Sequence, residues 1–159
     1  MSKYYQNFYK LQMAMLDSND NVVIFGPAAS GKCDAIERCI EEYGKDKKVA
    51  LLTNKTALLI KAYEFPNVTC YNWNTGLKKI DPEWIKEYYD VIIIDGFCEN
   101  WREVVQSFDK SRIIMAVRAE HNKDLSGELK QTFRIVAKSG FVDQDRKSKG
   151  ITSVRLYKG

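Results

Sequence analysis

The chain has few of the residues that build metal centres or cross-linked scaffolds. Among its 159 residues there is one histidine, His121, and no two of its four cysteines form a CxxC pair. Zinc centres draw on clustered Cys and His, so the sequence gives no support for one. The N-terminal residues lack the apolar core of a secretory signal. Free thiols in a reducing cytoplasm are therefore expected.

Long hydrophobic runs are also missing. The longest unbroken apolar stretch is about five residues, whereas a membrane helix needs about 20. We therefore expect no contact with a membrane. A net charge of +4 is mild, and it neither requires nor excludes nucleic acid as a partner. With 45% hydrophobic and 29% charged residues, the 159-residue chain is expected to form one domain, 1–159.

One segment carries a recognisable chemical pattern. The apolar run 22–25 leads into a Gly-x4-Gly-Lys loop, and apolar residues at helical spacing follow over 34–43. Glycines let the backbone N–H groups approach phosphate oxygens, and a following helix directs its positive end at the same anion. We predict that the loop binds the phosphates of ATP through the residues Gly26, Pro27, Ala28, Ala29, Ser30, Gly31, Lys32 and Cys33.

Two positions of this loop decide its chemistry. Lys32 is expected to reach the β- and γ-phosphates. The next residue should be Ser or Thr, whose hydroxyl binds Mg²⁺, but the chain has Cys33. A thiol is a poor ligand for a hard ion. Three interpretations stay open: the metal is held through water and acidic residues, turnover is slow, or the site is degenerate. The first two together are favoured because Lys32 and both glycines are present.

Asp95 is the predicted partner of the loop. It ends the β-branched run 91–94, where a carboxylate that holds Mg²⁺ is expected. Many ATPases place a glutamate directly after this aspartate to activate water. Here that position is Gly96, and Glu99 is the nearest candidate base. The alternative for Glu99 is an ordinary solvated carboxylate.

The order of the remaining segments predicts an α/β protein. Strands alternate with helices, and two strands follow each other at the end. We expect a three-layer α/β/α sandwich with a mainly parallel sheet and a C-terminal β-hairpin. The predicted strands cover residues 22–25, 48–53, 67–71, 90–95, 112–117, 132–137 and 151–157. The predicted helices cover residues 4–15, 34–43, 56–63, 81–89, 101–108 and 125–130.

These motifs together resemble the P-loop NTPase superfamily, over about residues 21–117. Residues 49–57 and 68–73 are similar to segments of superfamily 1 helicases that contact single-stranded DNA or RNA. The resemblance implies such contacts at Thr53, Thr69 and Trp73, with Trp73 as a stacking platform for a base. It implies a small helicase-like or RecA-like ATPase, phage- or mobile-element-like, that uses ATP and Mg²⁺. Such a protein acts with single-stranded nucleic acid or a nucleic-acid-processing complex.

Two further resemblances stay open. The loop is similar to that of thymidine kinases, which implies a nucleoside or nucleotide kinase as the alternative function. A RecA-like core implies a homo-oligomer in which a neighbour's arginine completes the site. The candidate arginines are Arg118, Arg134, Arg146 and Arg155. A non-catalytic nucleotide-binding module is the third alternative. The basic segment 146–149 fits either a nucleic-acid contact or a solvated hairpin tip.

Overall fold

The computed structural model describes residues 19–27, 30–141 and 149–156. Strands and helices alternate until the last two strands. The strands are β1 (Val22–Gly26), β2 (Val49–Thr53), β3 (Val68–Asn72), β4 (Val91–Asp95), β5 (Arg112–Arg118), β6 (Ile135–Phe141) and β7 (Lys149–Leu156). The helices are α1 (Lys32–Tyr43), α2 (Thr56–Tyr63), α3 (Trp101–Ser107) and α4 (Gly127–Thr132). The predicted helix over 4–15 lies outside the described residues.

Parallel pairing predominates among the described strands: β1 pairs with β6, β2 pairs with β3 and β4, and β4 pairs with β5. Only the last pair, β6 with β7, is antiparallel, and its register shifts between Lys138 and Ser139. Residues 142–148, which connect these two strands, lie outside the described part of the chain. The predicted α/β class, with a mainly parallel sheet and an antiparallel pair at the end, is confirmed.

The chain divides into two compact units. The first contains Met1–Ala35 and Val117–Gly159, and the second contains Ile36–Ala116. In the first unit β6 lies between β1 and β7, and β1 is buried along its whole length. The prediction of a single domain over 1–159 remains a prediction.

The second unit is built on four parallel strands. Their order is β3-β2-β4-β5, so β3 is the edge strand. Every residue of β2 and β4 is buried, which explains why these strands read as continuous apolar runs. Leu58 and Ala62 of α2 and Trp101 and Val104 of α3 are buried as well.

The helix predicted over 81–89 is wrong. The structure has only a short 3₁₀ turn, Pro82–Trp84, which Asp81 caps, and the chain is extended at Ile85. Contacts with distant residues hold the rest of the segment. The Tyr89 carbonyl accepts a hydrogen bond of 2.6 Å from Ser111 Oγ, and the Tyr89 hydroxyl lies 2.8 Å from that of Tyr71. Tertiary contacts therefore override the local helix signal.

Other boundaries also differ from the prediction. The short helix expected over 125–130 is α4, which begins two residues later because the Ser126 side chain caps it by accepting a hydrogen bond from the Leu129 N–H. The strand expected over 132–137 is β6, which begins at Ile135. No helix in the described part of the chain is both long and apolar enough to cross a membrane.

Candidate nucleotide-binding site

Two glycines shape the loop that is predicted to bind phosphate. At Gly26, a Cβ atom would lie 2.0 Å from Ser139 Oγ and 2.5 Å from Ser30 Oγ, so even a methyl group would force these hydroxyls to move. Gly31 has a φ of 103°, which L-residues rarely adopt. The loop therefore needs glycine at both positions for steric reasons. Ala28 and Ala29 lie outside the described residues.

Ser30 is held from β6 in the same unit. Its hydroxyl lies 2.6 Å from the hydroxyl of Ser139, and both residues are fully buried. Ser139 also donates to the Phe25 carbonyl over 3.2 Å. The Ser30 side chain is thus used to fix the loop, which leaves its backbone as the group able to contact phosphate. Ser139 could not be predicted from the local pattern, because it lies 109 residues from Ser30 along the chain.

Lys32 is the first residue of α1 and reaches back over the loop. Its ammonium donates hydrogen bonds of 2.8 Å to the Gly26 carbonyl and 2.6 Å to the Pro27 carbonyl. A phosphate oxygen is a stronger acceptor for an ammonium than a neutral carbonyl is. The Lys32 ammonium therefore lies at the loop, where the oxygens of a bound anion could replace the two carbonyls as its acceptors.

Cys33 follows as a free, partly exposed cysteine in the first turn of α1. In the described residues, no group of three or more His, Cys, Asp or Glu side chains is arranged to hold a metal ion.

Asp95 is the centre of a second group of polar side chains, in the second unit. Thr53 Oγ1 donates to Asp95 Oδ2 over 2.8 Å, and Lys55 Nζ lies 3.3 Å from Asp95 Oδ1. The backbone N–H of Lys55 donates to Thr53 Oγ1 over 3.1 Å. We call Thr53, Lys55 and Asp95 the Asp95 cluster. Both carboxylate oxygens are engaged within it.

The sheet register explains why this cluster forms. Strands β2 and β4 are parallel neighbours, with Leu52 opposite Ile94. The next residues, Thr53 and Asp95, end these strands at the same edge. Polar groups at the carboxyl ends of parallel strands are commonly the ones that bind ligands. Thr53 and Lys55 were not predicted as partners of Asp95, since each lies about forty residues away along the chain.

The residues after Asp95 form a tight turn. Gly96 has a φ of 134°, in the region that favours glycine. Glu99, the candidate base, is exposed, and its backbone N–H donates to the Lys78 carbonyl over 2.7 Å. Its catalytic role stays a prediction.

Of the three residues expected to contact single-stranded nucleic acid, two are buried. Trp73 is only 1% exposed and its indole Nε1 donates to the Lys79 carbonyl, so its predicted role as a stacking platform is wrong. Thr53 is buried and bonded to Asp95. Thr69 alone of the three is exposed, on the edge strand β3.

Each candidate arginine in the described part of the chain is exposed. Arg118, Arg134 and Arg155 are exposed, and Arg146 lies outside the described residues, as does most of the basic segment 146–149. Exposure is compatible with action on a neighbouring subunit, and it does not rank the three.

The Asp95 cluster fits a magnesium ion in part. A carboxylate and a hydroxyl are the hard oxygen donors that Mg²⁺ prefers. The Lys55 ammonium, however, is within ion-pair distance of one carboxylate oxygen. The donor set therefore suits the ion only where the ammonium moves aside.

Comparison with solved structures places this geometry in a known fold. No protein-family model and no curated protein matches the chain. The VirB11 ATPase of the Brucella suis type IV secretion system, solved in complex with sulphate, superposes with a TM-score of 0.64 at 15% identity. The alignment covers 98% of this chain and 56% of VirB11. The Legionella pneumophila ATPase DotB gives a TM-score of 0.53 at 11% identity, over 87% of this chain and 46% of DotB.

The chain has the P-loop ATPase fold. The N-terminal domain of zonular occludens toxin from Neisseria meningitidis also matches, with a TM-score of 0.50 at 16% identity, over 82% of this chain and 81% of that domain. The chain spans about half the length of the first two proteins. The predicted superfamily resemblance is confirmed at the level of the fold.

Proposed function

We propose that this protein is an ATP-binding P-loop ATPase that hydrolyses ATP slowly. The observation that carries the proposal is the loop itself. Three features occur together where the loop leads into a twelve-residue helix. A Cβ atom at Gly26 would overlap neighbouring atoms, Gly31 has a positive φ, and the Lys32 ammonium donates to a loop carbonyl. Each has a direct use in phosphate binding, and a plain strand-to-helix turn would need none of them.

In the proposed complex, the backbone N–H groups of the loop surround the phosphates, except at Pro27, which has no N–H to contribute. Lys32 exchanges its bonds to the Gly26 and Pro27 carbonyls for bonds to phosphate oxygens. The N-terminal end of α1 adds its partial positive charge. Binding through the triphosphate alone leaves the preference for the base open.

Asp95 is the proposed Mg²⁺ ligand, and bound Mg²⁺ would neutralise charge on the phosphates. Three features argue for slow hydrolysis. Cys33 offers a thiol in place of a hydroxyl, Gly96 replaces the glutamate of many ATPases, and Glu99 is exposed to solvent. A non-catalytic nucleotide-binding module is the second candidate function, and Gly96 favours it, because that turn offers no carboxylate directly after Asp95.

The partners of this ATPase remain predictions. Action with single-stranded nucleic acid and assembly into a homo-oligomer are implied by the sequence resemblance, and a cytoplasmic location follows from the thiol content. The burial of Trp73 removes one of the expected nucleic-acid contacts. The kinase alternative gains no support from the described geometry.

Calorimetric titration with ATP tests the proposal. We expect Lys32→Ala to weaken ATP binding by at least about tenfold, because charge-assisted hydrogen bonds contribute roughly 1.5–3 kcal/mol. The matched control is Lys61→Ala, which removes a lysine that pairs with Glu41 and Glu64. Unchanged affinity in Lys32→Ala contradicts the proposal.

The same samples separate the candidate functions. Phosphate release from ATP alone, raised by a single-stranded oligonucleotide, supports an ATPase that acts with nucleic acid. ADP formed only after a deoxynucleoside is added supports a kinase. Binding without turnover under every condition, including in Cys33→Thr, supports the non-catalytic module.

A further inference from the structure

Positive charge is concentrated at the C-terminal end of the chain. Residues 129–159 contain eight lysine and arginine residues against two aspartates, which gives them a net charge of +6. The 128 residues before them contain 17 basic and 19 acidic residues, a net charge of −2. The overall charge of +4 is therefore unevenly distributed, and such a separation indicates an anionic partner for the basic part.

The register of β6 and β7 places part of this charge on one face of the sheet. Lys138 lies opposite Ser153, and Arg155 lies opposite Val136. Residues that are opposite or diagonal in an antiparallel pair share a face, so Lys138 and Arg155 lie about 7–8 Å apart on it. Both side chains are exposed, and Ser153 is partly exposed. We call Lys138, Ser153 and Arg155 the basic face.

No carboxylate on the same two strands neutralises the basic face. Residues 129–141 and 149–156 contain neither aspartate nor glutamate. Within the described part of the chain, Lys138 and Arg155 form no ion pair, whereas Lys48 and Lys61 in the second unit are both paired with glutamates. The two charges of the basic face are therefore open to an anionic ligand from outside.

Protection of a sheet edge does not account for this arrangement. Charged side chains on an edge strand keep a sheet from pairing with other chains. Arg155 on β7 suits that role, but Lys138 lies on β6, which pairs with both β1 and β7. Arg134, which is also exposed, directly precedes β6. A basic set that extends from β7 onto an interior strand suits a ligand that crosses the strands.

We propose that the basic face binds the phosphate backbone of a nucleic acid strand. Lysine, arginine and serine side chains are groups that commonly contact phosphate oxygens. The proposal goes beyond the proposed function, because it requires no bound ATP. It also gives the predicted nucleic-acid partner a surface that does not involve the buried Trp73.

An anionic membrane surface fits the basic face less well. Proteins that lie on a membrane combine basic residues with apolar side chains that enter the lipid. Val136, the apolar residue opposite Arg155, is buried and offers no such side chain. Contacts with a nucleic acid backbone need only the charges and the hydroxyl, and each contact releases counter-ions from the strand.

Fluorescence anisotropy with a labelled single-stranded oligothymidylate of about 20 nucleotides tests the proposal, without ATP and at roughly 50–200 mM salt. For Lys138→Gln/Arg155→Gln, we expect the affinity at the lowest salt to fall by about tenfold or more. The slope of log K against log salt should also decrease in magnitude by about 1.4, because each lost contact with a single strand removes about 0.7. A purely structural loss would leave this slope unchanged.

Two controls separate the position of the charge from its amount. Lys110→Gln/Lys123→Gln removes two exposed lysines outside the basic face, and we expect at most about a threefold loss of affinity. Lys138→Arg/Arg155→Lys keeps both charges and should stay within about threefold of the wild type. Thermal unfolding checks that each variant folds. If Lys138→Gln/Arg155→Gln does not fold, Lys138→Gln alone should reduce the slope by about 0.7.

The outcomes either support or overturn this inference. It is overturned if the wild type leaves the oligonucleotide unbound, or if Lys138→Gln/Arg155→Gln keeps the affinity and the slope of the wild type. Equal losses in Lys110→Gln/Lys123→Gln would show that net charge, and not the basic face, governs binding. A wild type that sediments with phosphatidylserine vesicles but ignores the oligonucleotide would assign the face to a membrane instead. None of these results bears on ATP binding, which the calorimetric titration tests separately.

Discussion

Replacement of Gly26 by alanine tests the packing beneath the loop that is proposed to bind phosphate. The new Cβ would lie 2.0 Å from Ser139 Oγ and 2.9 Å from the Ser139 carbonyl oxygen. The Ser139 hydroxyl must then rotate away and lose its hydrogen bonds to Ser30 and to the Phe25 carbonyl. Two such bonds contribute about 1 kcal/mol each, and the remaining backbone contact adds overpacking strain. We expect the free energy of unfolding to fall by about 2–3 kcal/mol.

Thermal unfolding followed by circular dichroism measures this loss. For a chain of this length, the expected fall in free energy corresponds to a decrease in Tm of roughly 5–10 °C. Gly127→Ala is the matched control, because a Cβ at that position meets nothing within 4 Å and alanine favours the helix that begins there. A Gly26→Ala protein as stable as the control would refute the steric argument.

Three further predictions concern the polar and thiol groups. Thr53→Val removes the hydroxyl that is bonded to Asp95 and to the Lys55 N–H, and urea denaturation should show a loss of about 1–3 kcal/mol in the free energy of unfolding. Cys33→Thr supplies the missing hydroxyl, so Mg²⁺-dependent phosphate release should rise; an unchanged rate would show that the thiol does not limit turnover. Burial raises the pKa of Cys39 from 9.0 to about 12. The unfolded chain therefore loses this proton first, and stability should fall between pH 9 and 12, less steeply in Cys39→Ala.

The buried strands were predictable because their local pattern and their tertiary role agree. β4 is apolar along its length because the sheet buries both of its faces, and Asp95 follows from the same pattern as the polar residue at its end. The role of the two loop glycines could also be predicted, since a local backbone or steric condition favours glycine at each position.

The wrong predictions and the partners that were not predicted have a different physical cause. At residues 81–89 the local signal for a helix is outweighed by distant partners, among them Ser111 and Tyr71, which no local pattern contains. The same holds for Ser139 beneath the loop and for Lys55 at Asp95. The prediction for Trp73 failed for the opposite reason. A motif resemblance predicted an exposed side chain, whereas the structure buries it in the core.

The turn after Asp95 also limits how this protein could be redesigned. A more active ATPase would seem to need only Gly96→Glu, which restores the usual carboxylate. The φ of 134° at Gly96 makes that replacement strained, whatever space surrounds it. A glutamate there would first have to rebuild the turn, and with it the segment that leads to Glu99. Under the proposed function, a carboxylate at position 96 carries this strain, whereas a base supplied from elsewhere in the chain avoids it.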